Sequence, residues 1–423
     1  MQIELIIFLG MILTFTISCF KLKLPVSIAM VLSAIVGALI GGQGIPIRHL
    51  VEGGFGYLNT ILVIATAMIF MKTIQELGTL DALSGLILRK FHSNKVLLLI
   101  FLMFISMFPG MITGSSTAAV LTAGSIVAPI LMLIGIPIVE TATIIAIGGI
   151  LGMIAPPVNV PAMIIGGGID MPFVGFTIPL LLLTIPVAIF TVLFLGLKFT
   201  KNLDYEKIKA QLKTEDIEKL GMKVYIPIIL SVVLMVLGKL MPTVFNLGMP
   251  LIFIISAVSA LFCGKSINFI KVSKVAVKEA LPVLGILIGV GMFIQIMTLT
   301  GVRGYVVVSS LSLPPALMYL AMAITIPLFG AVSSYGASSV LGVPFLMALL
   351  SHNQIITASA ISCIAGLGDL MPPTALAGIF AAQVVGLKDY SKILKKSIVP
   401  ALVIIVYSIL MIVFSGKLAA IIY

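Results

Sequence analysis

Apolar runs recur from one end of the chain to the other, at about 2–20, 25–41, 55–72, 141–168 and 174–197, then at 224–241, 247–263, 280–299, 355–385 and 397–415. Each half has five, near or above the roughly 20 residues a helix needs to cross hydrocarbon. Each half also holds one longer run, 96–134 and 315–352, with a small polar cluster at its centre. The clusters are Gly110-Met111-Ile112-Thr113-Gly114-Ser115-Ser116-Thr117 and Gly330-Ala331-Val332-Ser333-Ser334-Tyr335-Gly336. Split at its cluster, either run yields two pieces too short to cross. The pattern therefore predicts a re-entrant hairpin, with the cluster at its tip and the irregular backbone enclosed by protein.

Two of the spanning runs are themselves interrupted. Gly149-Ile150-Leu151-Gly152-Met153-Ile154-Ala155-Pro156-Pro157 is answered 216 residues later by Ala365-Gly366-Leu367-Gly368-Asp369-Leu370-Met371-Pro372-Pro373. A Gly-x-x-x-Pro-Pro break ends a helix and frees carbonyls, which hydrocarbon cannot satisfy unless they line a cavity enclosed by protein. Five spans is an odd number, so the second half enters the membrane inverted relative to the first. The predicted fold is an all-α polytopic membrane protein of two inverted repeats, each with five spans and one re-entrant hairpin, with broken helices at the midplane. Residues 1–197 form the first repeat (hairpin 96–134, broken helix 141–168), 198–223 a cytoplasmic amphipathic linker, and 224–423 the second repeat (hairpin 315–352, broken helix 355–385). In the linker, charges recur at helical spacing with Tyr205, Ile208, Leu212 and Ile217, a pattern that fits a surface helix or a solvated tether equally well.

Composition agrees. With 61% hydrophobic and 9% charged residues there is too little polar surface to cover a soluble globule. The net charge of +11 does not point to nucleic acid, because the basic residues sit in short segments between the runs. With the hairpins re-entrant and both termini outside, 21 of the 25 basic residues fall on one face, leaving Arg48, Lys239, Arg303 and Lys417 on the other. The start, Met1-Gln2-Ile3-Glu4, lacks a basic n-region, so the first run is expected to be retained as a span. Cys19, Cys263 and Cys363 lie in or beside apolar runs without CxxC spacing, which argues against a disulfide framework or a metal centre.

Candidate chemistry is sparse. His49, His92 and His352 have no partner at metal or triad spacing, and Cys263-Gly264-Lys265-Ser266 fails as a phosphate loop because Ser259 stands where the first glycine is needed. No paired nucleophile and base is found, so an enzyme is not expected. What remains is hydroxyls and free backbone: Ser115, Ser116, Thr117 and Asn159 in the first half, Ser333, Ser334, Ser338, Ser339 and Thr374 in the second. Oxygen-only ligands suit a hard monovalent cation such as sodium, and half-helix N-termini suit an anionic substrate. Small polar residues also pack membrane helices, and this bland reading applies to either cluster taken alone. Asp369 is the sharpest residue: it is the one acidic side chain inside a break, where the first half has Met153. An intramembrane carboxylate costs at least ~2.5 kcal/mol unless partnered, so it is either functional or a backbone cap. Glu140 and Asp170 flank a span and are expected at its interfaces.

These motifs resemble the large permease subunit of TRAP transporters, within the wider ion transporter superfamily. The resemblance rests on Lys23-Leu24-Pro25-Val26-Ser27-Ile28-Ala29, on Gly114-Ser115-Ser116-Thr117-Ala118-Ala119, on Gly152-Met153-Ile154-Ala155-Pro156-Pro157, and on the second-half equivalents Ser334 to Pro344 and Gly368 to Pro373. It implies an elevator-type, sodium-coupled importer of small carboxylates in the cell (inner) membrane, with Na+ as coupling ion and no organic cofactor. It also implies one cation site at Ser115, Ser116 and Gly152 and a second at Ser334, Gly336 and Gly368. Substrate contacts fall to Ser116, Thr117, Asn159, Ser334, Tyr335 and Thr374. Members of that family often carry an acidic residue in the second hairpin where this chain has Ser333-Ser334-Tyr335; Asp369 compensates for it as a cation ligand. The family also works with a small membrane subunit and an extracytoplasmic binding protein. The alternative reading is a sodium/proton antiporter with Asp369 as ion carrier. A channel is disfavoured, because broken helices on inverted repeats imply alternating access.

Overall fold

The computed structural model describes residues 3–200, 221–241, 243–245, 247–311, 314–372 and 375–423. Most of the expected linker, together with Pro373 and Thr374, lies outside the described residues. Those described form helices joined by short turns, without a strand. The first half runs α1 (Ile3–Phe20), α2 (Val26–Ile40), α3 (Ile47–Phe55), α4 (Leu58–Leu77), α5 (Thr79–Phe91), α6 (Lys95–Thr113), α7 (Ser116–Leu133), α8 (Ile138–Ile154), α9 (Val160–Gly167) and α10 (Thr177–Gly196). The second runs α11 (Ile226–Leu240), α12 (Gly248–Ser259), α13 (Phe269–Leu299), α14 (Val302–Leu311), α15 (Pro315–Gly330), α16 (Ser334–Ala337), α17 (Val343–Ala348), α18 (Gln354–Gly366), α19 (Leu376–Val385), α20 (Ser391–Val413) and α21 (Ser415–Ile422). Among the described residues eight helices are long and apolar enough to cross a membrane. The chain is a multi-pass membrane protein.

Local chemistry sets the helix starts. Asn94, Asn159, Asn268 and Asn353 each turn a side-chain oxygen onto a backbone N–H of the first turn of α6, α9, α13 and α18. Gly78, in a left-handed conformation at φ +86°, ends α4 and lets α5 turn away at once. The centre of the molecule is a pair of helices buried all round. In α8 every residue from Glu140 to Ile154 is buried, and in α18 every residue from Ile356 to Gly366. Around them pack α6, α7, α10 and α20, while α13 lies against α2, α3 and α4 in a separate layer. Each half's short second broken helix crosses to the other half: α9 packs on α18 and the hairpin arm around α17, and α19 packs on α7 and α8.

Three differences from the sequence reading have physical causes. The arms of the first hairpin are not short: α6 has 19 residues and α7 has 18, because α6 runs on through the polar cluster to Thr113 and α7 starts again at Ser116. At 1.5 Å per residue each is about 27–29 Å, close to a full span. The chain nevertheless turns back into protein at a buried Gly114. The run expected at 280–299 belongs to α13, which starts at Phe269 and carries Lys271, Lys274 and Lys278 on its first turns. Its 31 residues reach about 46 Å, so those turns stand outside the ~30 Å of hydrocarbon. Finally α3, α5 and α14 are short helices in segments read as connections.

Polar contacts near the helix ends join segments that the charge count places on one side. Lys72 pairs with Glu279 at 2.8 Å, Lys396 with Glu140 at 2.9 Å, and Lys265 donates to the Glu76 carbonyl. At the other end the Tyr423 hydroxyl donates to Gly175 O at 2.9 Å, and the Asn353 N–H to Ser415 Oγ at 3.3 Å.

Candidate functional site

The two hairpin tips are built alike. At the end of α6, Gly114 takes φ +64°, and a Cβ there would lie 2.5 Å from the Val160 side chain. Only glycine fits both conditions. Ser115 then caps α7, its hydroxyl accepting the Ala118 N–H at 3.2 Å. In the second hairpin Ser333 caps α16, accepting the Gly336 N–H at 3.2 Å, and the arm continues through a π-helical turn, Ser338–Gly342. Both tips therefore present the start of a helix to the interior.

The breaks meet these tips. α8 stops at Ile154 because Pro156 and Pro157 have no N–H to offer. α18 tightens into a 3-10 turn, Leu367–Leu370, before Pro372. Ile154 O accepts from the Asn159 amide at 2.7 Å, Leu370 O accepts from the Tyr390 hydroxyl, and Met111 O at the first tip accepts the Val158 N–H at 3.1 Å. The carbonyls that the two breaks release, at Ile154 and Leu370, are thus held by side chains, as an enclosed break requires. Tyr390 is fixed from the loop side, where the Asp389 carboxylate accepts the Ser391 N–H at 2.9 Å. Hydrogen bonds from Ser391 keep that carboxyl below the usual range.

Backbone meets backbone where hairpin arm and broken helix cross. A Cβ on Gly110 would lie 2.7 Å from Met153 N, and one on Gly152 would lie 2.8 Å from Met107 Cα. In the second half a Cβ on Gly368 would lie 2.5 Å from the Cα, C and O of Gly330. These glycines let the arms approach until the tips reach the breaks.

Asp369 sits at the convergence. Only 6% of its surface is exposed. The Ser116 hydroxyl, from the first tip, donates to Asp369 Oδ2, and the Ser334 hydroxyl, from the second, acts on the same carboxyl. Tyr335 closes the ring by donating to Gly114 O at 2.8 Å, tying tip to tip. Among the described residues no Lys, Arg or His forms an ion pair with this carboxylate. The donor set is one carboxylate and two hydroxyls, an all-oxygen set that suits a hard monovalent cation or a proton.

Ser116, Ser334, Tyr335 and Asp369 are thus brought together. The two cation sites implied by the resemblance place Ser116 and Ser334 apart, whereas the structure joins them at one carboxylate. Ser115 and Gly336 are engaged in helix caps, and Thr117 follows half-buried on α7. Gly152 and Gly368 lie at the backbone crossings. Asn159 uses its whole side chain locally: its amide donates to Ile154 O and, at 2.9 Å, to Ser362 Oγ, while its oxygen accepts the Ala162 N–H at 2.8 Å. Thr374 lies outside the described residues. Ser362 and Tyr390 were not singled out by the sequence. Ser362 sits just ahead of the second break among small residues that packing alone would explain, and Tyr390 in a charged loop 20 residues from the carbonyl it holds.

No protein-family model matches the chain, and no curated protein matches it in sequence. Its fold does match a solved one. The crystal structure of the YdaH transporter of Alcanivorax borkumensis, described as having an unusual topology, superposes with a TM-score of 0.60 at 15% identity, covering 88% of each chain. At that identity the likeness establishes the fold, which is that of a polytopic membrane protein similar to the YdaH transporter, and the TRAP resemblance rests on short motifs alone.

Proposed function

We propose that this chain is a secondary active transporter of the cell (inner) membrane that couples uptake of a small organic anion to sodium. The observation that carries the reading is Asp369, buried and held by one serine from each hairpin tip. A second negative charge about 4 Å from an ionised Asp369 would be repelled by about 4 kcal/mol at an effective dielectric of 20, near 10³-fold in affinity. An anion is therefore admitted only after a cation has neutralised the carboxylate. That order is the physical content of coupling. Asp369, Ser116 and Ser334 hold the cation, and the N-termini of α7 and α16 face the anion. Alternating access follows from two inverted repeats, 1–197 and 224–423, carrying the tips and breaks as a unit against the layer of α2, α3, α4 and α13. A small membrane subunit and an extracytoplasmic binding protein would be separate chains.

The absence of a charged partner for Asp369 among the described residues also favours a second reading, an ion antiporter in which Asp369 exchanges sodium for protons without organic cargo. Proteoliposomes separate the two. Uptake of labelled small dicarboxylates that rises with an inward sodium gradient supports the first, and proton flux driven by sodium without any carboxylate supports the second. Asp369→Asn keeps the shape and removes the titratable charge, so it should fold and lose ion dependence in either case. Unchanged ion dependence in that variant would refute both.

A further inference from the structure

A cavity of about 560 Å³ lies between α5, α6 and α10, and Asp369 is not among its lining residues. Its wall is aromatic and aliphatic, with Phe91, Phe101, Phe104 and Phe108 prominent. Among the described lining residues the one charge is Lys90, in the last turn of α5, its ammonium 5.7 Å over the Phe91 ring. The one other polar residue, Thr184, is used within its own helix, donating to Leu180 O at 2.7 Å. The volume falls in the range of built ligand sites, roughly 300–1,000 Å³.

The cavity has a direction. From Phe101 to Met111 it follows ten residues of α6, about 15 Å, which is half the ~30 Å hydrocarbon thickness. One end is cationic and belongs to the basic face of the molecule. The other is closed by Met111 and Ala155. Those two are the hairpin tip and the break themselves: Met111 O accepts the Val158 N–H, and Ala155 precedes Pro156. A ligand that fills this space is apolar for the depth of one leaflet and anionic at the surface. A soluble anion would leave the aromatic wall bare.

We propose that the cavity is a binding site for one anionic phospholipid of the basic-face leaflet, its phosphate on Lys90 and one acyl chain reaching Met111 and Ala155. Through those residues the lipid braces the first tip against the first break. A single lysine near an anionic leaflet is worth about fivefold in local enrichment.

The chain contains no tryptophan, so the parent protein is its own fluorescence background. Phe104→Trp puts a reporter in the cavity, and Leu402→Trp, at a position 55% exposed on α20, puts one on the outer surface. Each is reconstituted in phosphatidylcholine containing a small fraction of brominated phosphatidylglycerol, or of brominated phosphatidylcholine. The Phe104→Trp reporter should be quenched by brominated phosphatidylglycerol at about one fifth the mole fraction needed for Leu402→Trp. Brominated phosphatidylcholine should show no such difference, and adding Lys90→Gln should erase it. Phe108→Trp serves if Phe104→Trp does not elute as a single species. The proposal is overturned if the cavity reporter is unquenched, if it tracks Leu402→Trp with both lipids, or if its preference survives Lys90→Gln.

Discussion

Gly368→Ala tests the close approach on which the site depends. The added Cβ would stand 2.5 Å from three backbone atoms of Gly330, against at least 3.4 Å for an ordinary contact. The crossing must therefore open by about 0.9 Å, and because backbone faces backbone no side-chain rotation absorbs it. Overpacking of this kind costs about 1–3 kcal/mol. Alanine returns up to about 1 kcal/mol of helix propensity, leaving a net loss of about 0–3 kcal/mol. The functional effect should be larger than the thermal one. Asp369 is the next residue, and a shift near 0.9 Å is enough to take a hydrogen bond at ordinary length out of range, so the Ser116 and Ser334 contacts would be lost together. Thermal melting of purified protein, with ion-coupled flux in proteoliposomes, reads both effects. Gly304→Ala on α14, where a Cβ meets nothing within 4 Å, is the control and should melt at or above the parent. If Gly368→Ala melts with the parent and keeps full ion coupling, the approach of α15 to the second break is not what positions Asp369.

Tyr335→Phe removes the bond between the tips and leaves the buried Gly114 carbonyl without it, which should cost about 1–3 kcal/mol in melting and loosen ion affinity while sparing expression. Lys396→Met strands Glu140, whose side chain is only 9% exposed, and because the lysine is 47% exposed the loss should be about 1–3 kcal/mol. Adding Glu140→Gln should recover most of it; no recovery would show that the pair does not hold α8 to α20. For orientation, Gln43→Cys should react with an impermeant thiol reagent on intact cells and Asn268→Cys only after permeabilisation, because the positive-inside rule assigns the basic segments to the inner face. The reverse pattern would invert the assignment.

Much of the fold is legible because its punctuation is covalent. Pro156 has no N–H wherever it stands, Gly114 tolerates φ +64°, and Ser115 and Ser333 are helix starters, so tips and breaks could be read from residue type. The short helices α3, α5 and α14 were missed because a window tuned to unbroken spanning runs passes over segments that mix Arg48, Glu52 or Arg89 with apolar residues. The site was only half legible. Nothing local to Ser116 or Ser334 tells that they meet at one carboxylate 253 residues from the first, since that depends on how the halves interlock. The same holds for Tyr390, whose reach to Leu370 O is set by the turn before α20.

That interlock bears on how many ions the protein can hold. The backbone devices occur in both halves: a capped tip, a break, and glycines at the crossing. The side chains that finish them differ. Asp369 in the second break answers Met153 in the first, and Asn159, which caps α9 and holds Ile154 O, answers Ala375, which has no side chain to cap α19. The carbonyl that the second break releases is taken instead by Tyr390, from the turn before α20 in the same half. On the proposed reading, a frame with one carboxylate, approached by a serine from each tip, would offer one strongly charged cation position rather than two equal ones. Flux should then depend on sodium with a single dominant charge-compensating ion, and Asp369→Asn should remove that dependence entirely rather than reduce its order by one. A variant that retained one of two sodium steps would show that a second position, built from the first tip without a carboxylate, carries an ion of its own.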